Sequence, residues 1–388
     1  MKFLHLSDLH IGLKLLNRDL GEDQAYIFSQ ITDLARQEQP DAVLIAGDIY
    51  DKSVPSAEAV ELFDRFLSGL TEALPEAEIM IISGNHDSAP RLNVFRSLLA
   101  RRHVHMIGQP PRLPGERIEK VTLQDAWGPV HFYLLPFVKP SMVKGITGTD
   151  ENGNNLSYPA ALQALLDREE IDPNERNVIV SHQFYLPDDI DPANADRSDS
   201  EIRIVGNVDA IGSSLLAPFD YGALGHIHKP MSAGRETLRY CGTPLACSIS
   251  EAGQQKGILA VEMQAKGDVR IRTLPLTPLR RVRVIRGLLE EVLLEACEDY
   301  VSVQLTDPED LDVIDMQDRL RAAFPYLLEI RRELRQRPGE LEDAVESTAA
   351  KDPFELCCEF LGDPGEEEQA LLREVINAVL ERRGEVRS

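Results

Sequence analysis

The sequence predicts an α/β fold: a two-sheet sandwich flanked by helices over residues 1–276, then a small α+β module (277–337), a linker (338–351) and a C-terminal helical hairpin (352–388). Three observations lead there. Apolar runs of strand length recur through the first part, helical periodicity appears between them, and after Thr277-Pro278 the pattern shortens into alternating segments.

Taken in order, Phe3, Leu4 and Leu6 form an apolar run that stops at Ser7. Ile27, Ile31 and Leu34 then fall on one helical face, and AVLIA (42–46) ends in Gly47-Asp48. Val60, Phe63, Leu67 and Leu70 mark a second helical face before IMII (79–82), which ends in Ser83-Gly84-Asn85-His86-Asp87. Residues 178–180 end in Ser181-His182, and 221–224 end in Gly225-His226-Ile227-His228. Two further strands are expected at 257–263 and 269–274.

The chemistry collects where those strands stop. In an open α/β sheet, ligands bind beyond the carboxyl ends of the strands. Asp8, His10, Asp48, Asn85, His182, His226 and His228 are therefore delivered to one rim. In the D-L-H and H-I-H pairs, i, i+2 spacing on an extended segment points both side chains to the same face. A lone HxH, DxH or GD is ordinary turn chemistry. Asn, His and Asp in succession after a buried strand are hard to justify as packing, and the ordered set of five fragments points to a site.

Imidazole, carboxylate and amide donors without thiolate suit Mn²⁺ or Fe²⁺ and can hold Zn²⁺. Seven donors exceed one open catalytic ion but fit two ions sharing a carboxylate. Such a pair is the usual clamp for in-line displacement at phosphorus, so the expected reaction class is phosphoester hydrolysis.

At these motifs the chain resembles the calcineurin-like metallophosphoesterases, and within them the DNA nuclease subunits that work with a coiled-coil ATPase. FLHLSDLHIG (3–12), AGDIYDKSVPS (46–56), ISGNHDS (82–88), SDSE (198–201), DYGALGHIHKP (220–230) and RYCGTPLACSISE (239–251) carry the resemblance. It implies one ion on Asp8, His10, Asp48 and His228 and another on Asp48, Asn85, His182 and His226, with Asp48 bridging. It also implies that His86 faces the scissile phosphate as a general acid. Asp87 is expected to orient that imidazole and keep it cationic. One position departs from archaeal and eukaryotic relatives, which carry histidine where this chain has Asp51, as bacterial ones commonly do. The plain alternative for Asp51 is a turn residue ahead of Pro55-Ser56.

What the resemblance implies is a Mn²⁺-dependent exonuclease on double-stranded DNA ends. It would also be an endonuclease on single strands and hairpins, acting in DNA end processing, repair, recombination and replication. Its partners would be a coiled-coil ATPase and a second copy of itself within a heterotetramer, in a bacterial cytoplasm at the nucleoid. The residues alone reach only a dimetal phosphoesterase. A phosphatase or phosphodiesterase for a small molecule or phosphoprotein is the alternative on the same scaffold, and a non-catalytic DNA-end tether is a third reading.

Composition sets the remaining bounds. The net charge of −24 is unusual for a DNA enzyme, because phosphate binding rests on Lys and Arg releasing counterions. From Pro338 onward there are 14 acidic against 5 basic residues, so much of the excess lies in the tail. That balance argues against tight autonomous DNA binding and fits a subunit that borrows a basic partner. No apolar run reaches the ~18 residues of a membrane span. The five cysteines form no CxxC, so reduced thiols are expected. No Walker-type motif is present, and ATP dependence would come from the partner.

The module 277–337 reads β-α-β-α-β: Val282 and Val284, a helix over 288–297, Val301 to Leu305, a helix over 316–324, and a strand from Leu328. It resembles the family's capping domain. Arg280, Arg281, Arg283 and Arg286 with Arg331, Arg332, Arg335 and Arg337 give it basic edges for a DNA backbone; a solvated strand face is the plain alternative. In the hairpin, Leu371, Leu372, Val375, Ile376, Val379 and Leu380 form a wide apolar stripe that two short helices cannot bury alone. It is expected to dock on the ATPase or fold back on the core.

Overall fold

A computed structural model describes residues 1–188, 210–308 and 312–332, together with Gly365, Glu368, Gln369 and Leu372. The SDSE motif, Arg335, Arg337, the linker 338–351 and, apart from those four residues, the hairpin 352–388 lie outside the described residues.

In chain order the sandwich strands are β1 (Lys2–Leu6), β2 (Ala42–Ala46), β3 (Glu78–Ile82), β4 (Val104–Ile107), β5 (Glu119–Asp125), β6 (Gly128–Leu135), β7 (Arg176–His182), β8 (Tyr221–Gly225), β9 (Met231–Ala233), β10 (Arg235–Tyr240), β11 (Gly257–Met263) and β12 (Val269–Pro275). They form two six-stranded sheets, ordered β12-β11-β1-β2-β3-β4 and β9-β10-β8-β7-β6-β5. In the first, β1 to β4 run parallel, and β11 pairs antiparallel with both β1 and β12. In the second, β6, β7, β8 and β10 are parallel, with antiparallel edges β5 and β9.

The continuous apolar runs follow from burial on both faces. Along β2, Ala42, Leu44 and Ala46 enter the core between the sheets, while Val43 and Ile45 face the helices α1 (Gly21–Glu38) and α2 (Ala57–Ala73). The second sheet's outer face, including Tyr133, Ile179 and Leu224, is covered by α3 (Pro140–Thr147) and α4 (Tyr158–Leu166).

Two helical expectations shift. The buried face of α2 is Ala59, Leu62, Phe63, Phe66 and Leu70, whereas Val60 is 45% exposed. The Ser56 hydroxyl accepts from the Ala59 amide at the N-cap, and Phe66 stacks on Phe28 of α1 with ring centroids 4.6 Å apart. Of the expected face, Phe63 and Leu70 are buried and Leu67 packs against the same core, so only Val60 falls outside it. In the module, the helix expected over 288–297 is only α5 (Leu289–Leu293). The Leu294 and Glu295 amides bond to carbonyls three residues back, closing the helix early and leaving Leu294 87% exposed.

The module otherwise has the expected order: β13 (Val282–Gly287), α5, β14 (Tyr300–Leu305), α6 (Val313–Ala323) and β15 (Leu327–Arg332), in a sheet ordered β13-β14-β15. It is continuous with the sandwich, because Val282 and Tyr300 are buried in the same apolar cluster as Ile27 and Leu276. Met1–Leu305 and Leu311–Arg331 accordingly form one compact unit.

Candidate metal centre

Strand ends deliver the seven donors to one place. The loop after β1 lies along the loop after β2: the Asp8 amide donates to Gly47 O and the His10 amide to Asp48 O, each at 3.0 Å. The two sheets meet where the His182 Nδ1–H donates to Ala46 O at 2.8 Å and the His226 amide donates to Asp8 Oδ1 at 3.0 Å.

The pairs do not converge by strand alternation. Asp8 (φ 54°), His10 (φ 42°), Asp48 (φ 50°) and His226 (φ 99°) all stand in the left-handed region, and His226 and His228 lie beyond the end of β8. The extended reading of D-L-H and H-I-H is therefore corrected: sharp turns aim these side chains. Four of the eight non-glycine residues with positive φ among the described residues belong to this cluster, and such strain gathers where surrounding structure over-determines it. The glycine before Asn85 answers a close approach, since a Cβ on Gly84 would lie 2.1 Å from Asp48 Oδ1.

The donor atoms face one another. Ligand atoms of Asp8, His10 and His228 lie within 4.8 Å of each other, as do those of Asp8, Asp48 and His182. His10 Nε2 and His228 Nε2 stand 3.1 Å apart. Asp48 Oδ2 is 3.3 Å from His182 Nε2 and 3.7 Å from His10 Nε2, so one carboxylate oxygen sits between the two halves. Asn85 Oδ1 lies 3.0 Å from both His182 Nε2 and His226 Nδ1. Asp8, His10, Asp48, His182 and His228 are buried, while Asn85, His86 and His226 are half-buried and rim the opening.

The electrostatics fit a cation. Burial raises the Asp8 pKa above the ordinary carboxylate value and lowers that of His10 well below the ordinary imidazole value. Burial also opposes ionisation of Asp48, yet the imidazoles of His182 and His10 hold its carboxyl far below the usual range. For His182 burial is likewise overcome, and the Asp48 charge pushes its pKa up to about 9. A divalent cation would compete with a proton for this nitrogen. The Nδ1–H bond to Ala46 O fixes the tautomer that presents Nε2.

The oriented His86 imidazole differs from expectation in its partner. Its Nδ1–H donates to the Asp51 backbone carbonyl at 2.8 Å, and its amide donates to Asp48 Oδ1 at 2.9 Å. Asp87 does not orient it. The Asp87 carboxylate accepts from the amides of Ile49, Tyr50 and Gly84 at 2.9–3.0 Å and ties the loops after β2 and β3 together. Burial, with Asp48 nearby, lifts its pKa to about 6. Asp51 therefore contributes a carbonyl, and its carboxylate stands 3.9 Å from His10 Nδ1.

Two supports lie outside the expected donor set. Glu251 Oε1 lies 3.5 Å from His228 Nδ1, and its other oxygen accepts from Lys256 Nζ at 2.5 Å and Thr243 Oγ1 at 3.0 Å. Burial opposes ionisation of Glu251, but His228 and Lys256 hold its pKa down at about 2. The second is Gln24, beside His10. Glu251 ends the motif block 239–251, whereas nothing local marks Lys256, only 5% exposed, as the buried partner.

Three arginines of the stripe form ion pairs within the chain: Arg280 with Glu22 and Asp23, Arg283 with Glu295, and Arg331 with Glu329.

Fold and site together define a two-sheet phosphoesterase with a candidate dimetal centre. The calcineurin-like phosphoesterase family matches residues 1–230, and the chain belongs to that family. A second family, described as the type 5 capsule protein repressor C-terminal domain, matches residues 276–363. Within this frame the chain is a homologue of the SbcD subunit of nuclease SbcCD: the Staphylococcus epidermidis protein is 31% identical over 342 residues, spanning 84% of each chain. Among solved structures, GAP50, the anchor in the inner membrane complex of Plasmodium, is 11% identical with a TM-score of 0.41, covering 85% of this chain and 96% of that one. A dimetal phosphatase from Danio rerio is 15% identical with a TM-score of 0.39, covering 73% and 99%.

Proposed function

We propose that this chain is the DNA nuclease subunit of an SbcC–SbcD type complex, hydrolysing phosphodiester bonds as an exonuclease on duplex ends and an endonuclease on single strands and hairpins. The observation that carries the reading is identity to the SbcD subunit of nuclease SbcCD over 84% of the chain, well beyond the donor motifs. DNA end processing in repair and recombination is the corresponding role. A small-molecule or phosphoprotein phosphatase would need only the first 230 residues' kinship, and the longer match favours the nuclease.

The donor set suits divalent ions, and Mn²⁺ is the ion proposed. Asp8, His10, Asp48 and His228 would hold one, and Asp48, Asn85, His182 and His226 the other. When bound, the pair supplies Lewis-acid charge to the phosphate and a nucleophile at neutral pH. The chain's own residues do the rest. His86, anchored through Nδ1 on the Asp51 carbonyl, presents Nε2 to the leaving oxygen as general acid. Asp87 fixes the backbone that carries both Asp48 and His86.

The proposed partners are an SbcC-like ATPase, gripped by the hairpin 352–388 through the linker 338–351, and a second copy of this chain in a heterotetramer. Residues 1–276 would be the nuclease domain and 277–337 the capping domain. No described helix is long and apolar enough to cross a membrane; a cytoplasmic, nucleoid-associated enzyme is the proposed setting. The test compares a linear duplex with a phosphomonoester under Mn²⁺, with and without the ATPase and ATP. Duplex cleavage is expected, and turnover of the monoester alone would replace this reading by the phosphatase.

A further inference from the structure

We infer that Gln24 is a positioning residue for the metal loop, and that its neighbour Asp23 couples the position of that loop to the module 277–332. The inference rests on the metal reading above and adds a physical link between the module and one ion site.

The loop carrying Asp8 and His10 holds two residues in left-handed backbone, which persists only when the surroundings impose it. One side is imposed by the loop after β2, through Gly47 O and Asp48 O. On the other side His10 O accepts from the Leu13 amide at 3.0 Å and from one side chain, that of Gln24. Gln24 Nε2 donates to His10 O at 2.8 Å and to Leu9 O at 3.4 Å, while its Oε1 accepts from the Gly12 amide at 3.1 Å. Gln24 is 3% exposed, so these bonds are shielded from solvent. These three hydrogen bonds all go to backbone atoms of the loop that aims His10.

Gln24 follows directly on Asp23 in the first turn of α1. Asp23 is fully buried and receives two donors from the module: Arg280 Nη1 at 2.9 Å and the Tyr300 hydroxyl at 2.8 Å. Arg280 is itself fixed, lying over the Tyr326 ring at 4.3 Å and bonding Glu22 at 2.8 Å. One helical turn therefore grips the module through Glu22 and Asp23 and the metal loop through Gln24. A displacement of Arg280 or Tyr300 would reach His10 through Asp23 and Gln24.

A simpler role for Asp23 would be to seat the module and nothing more. Gln30 separates the two. It also binds the module's leading segment, donating to Thr277 O at 2.6 Å and accepting from the Thr277 amide at 3.2 Å, but it lies further along α1 and has no bond to the metal loop.

The experiment is Mn²⁺ titration of the full-length protein, read as free Mn²⁺ by electron paramagnetic resonance, alongside melting temperatures. Gln24→Ala is expected to weaken one of two ions roughly 10–100-fold, as loss of supporting hydrogen bonds does at metal sites. Gln24→Met, which preserves volume, should not restore it. Tyr300→Phe and Arg280→Gln should each weaken the same ion roughly 3- to 30-fold, and combining either with Gln24→Ala should give less than the product. Gln30→Ala should lower the melting temperature and leave both affinities unchanged. If Gln24→Ala does not fold, the isosteric Tyr300→Phe decides. Tyr300→Phe and Arg280→Gln titrating like wild type overturns the coupling. Wild-type protein that binds no Mn²⁺ overturns the metal reading and this inference with it.

Discussion

His86→Ala separates the chemistry from the metals. The residue makes two bonds: its amide to Asp48 Oδ1 at 2.9 Å and its Nδ1–H to Asp51 O at 2.8 Å. Alanine keeps the first and removes the second, so the loop and the proposed bridging carboxylate keep their backbone anchor. The fold loses about 1 kcal/mol, the worth of one partly exposed hydrogen bond. The rate loses the general acid, roughly 10²–10⁴-fold, or about 3–5 kcal/mol of barrier at 1.36 kcal/mol per decade. Loss of an ion would abolish turnover instead. The assay is kcat on linear duplex at saturating Mn²⁺, with bound metal counted on the same protein. Two ions with a slowed rate are expected. A halved metal count would refute the reasoning and make His86 a ligand, for its nitrogen lies within 4.8 Å of ligand atoms of His10 and Asp48.

Other outcomes follow from the same geometry. Asp48→Asn weakens the one donor shared by both halves and should abolish hydrolysis while the circular dichroism spectrum is kept; near wild-type cutting would remove the bridge. Asp125→Asn should cost about 2 kcal/mol, measured by urea unfolding, because Arg176, 3% exposed, loses its carboxylate while keeping backbone acceptors. Arg176, assisted by the N-terminal ammonium, holds the Asp125 pKa well below its ordinary value. That stabilisation is therefore complete above the unfolded pKa of about 4 and drains as pH falls towards the folded one, so the variant's deficit should shrink in acid. Deleting residues 352–388 should leave weak ATP-independent cutting but abolish binding to the ATPase; co-purification equal to that of full-length protein would place the interface elsewhere.

Much of this architecture was legible because parallel strands buried on both faces leave unbroken apolar runs, and the polar residues that end them mark the rim. The run 42–46 matches its strand to the residue. What failed was local geometry. Period-two alternation assumed extended backbone at His10 and His226, where positive φ does the aiming. Asp87 beside His86 in sequence suggested a side-chain pair, yet adjacent residues after a strand diverge, and Asp87 turns inward to three amides. On α2 the expected stripe missed Leu62 and Phe66, and Phe66 is buried against Phe28 of α1. Gln24 and the Glu251–Lys256 pair reach the site from segments far apart in the chain, so no local pattern could join them to the donors.

If seven residues hold two ions around Asp48, a crystal grown with Mn²⁺ and measured at the manganese absorption edge will show both. Two anomalous peaks are expected about 3.5–4 Å apart, both beside the Asp48 carboxylate, one ringed by Asp8, His10 and His228 and the other by Asn85, His182 and His226. A single peak, or a pair in which Asp48 touches only one ion, would contradict this arrangement.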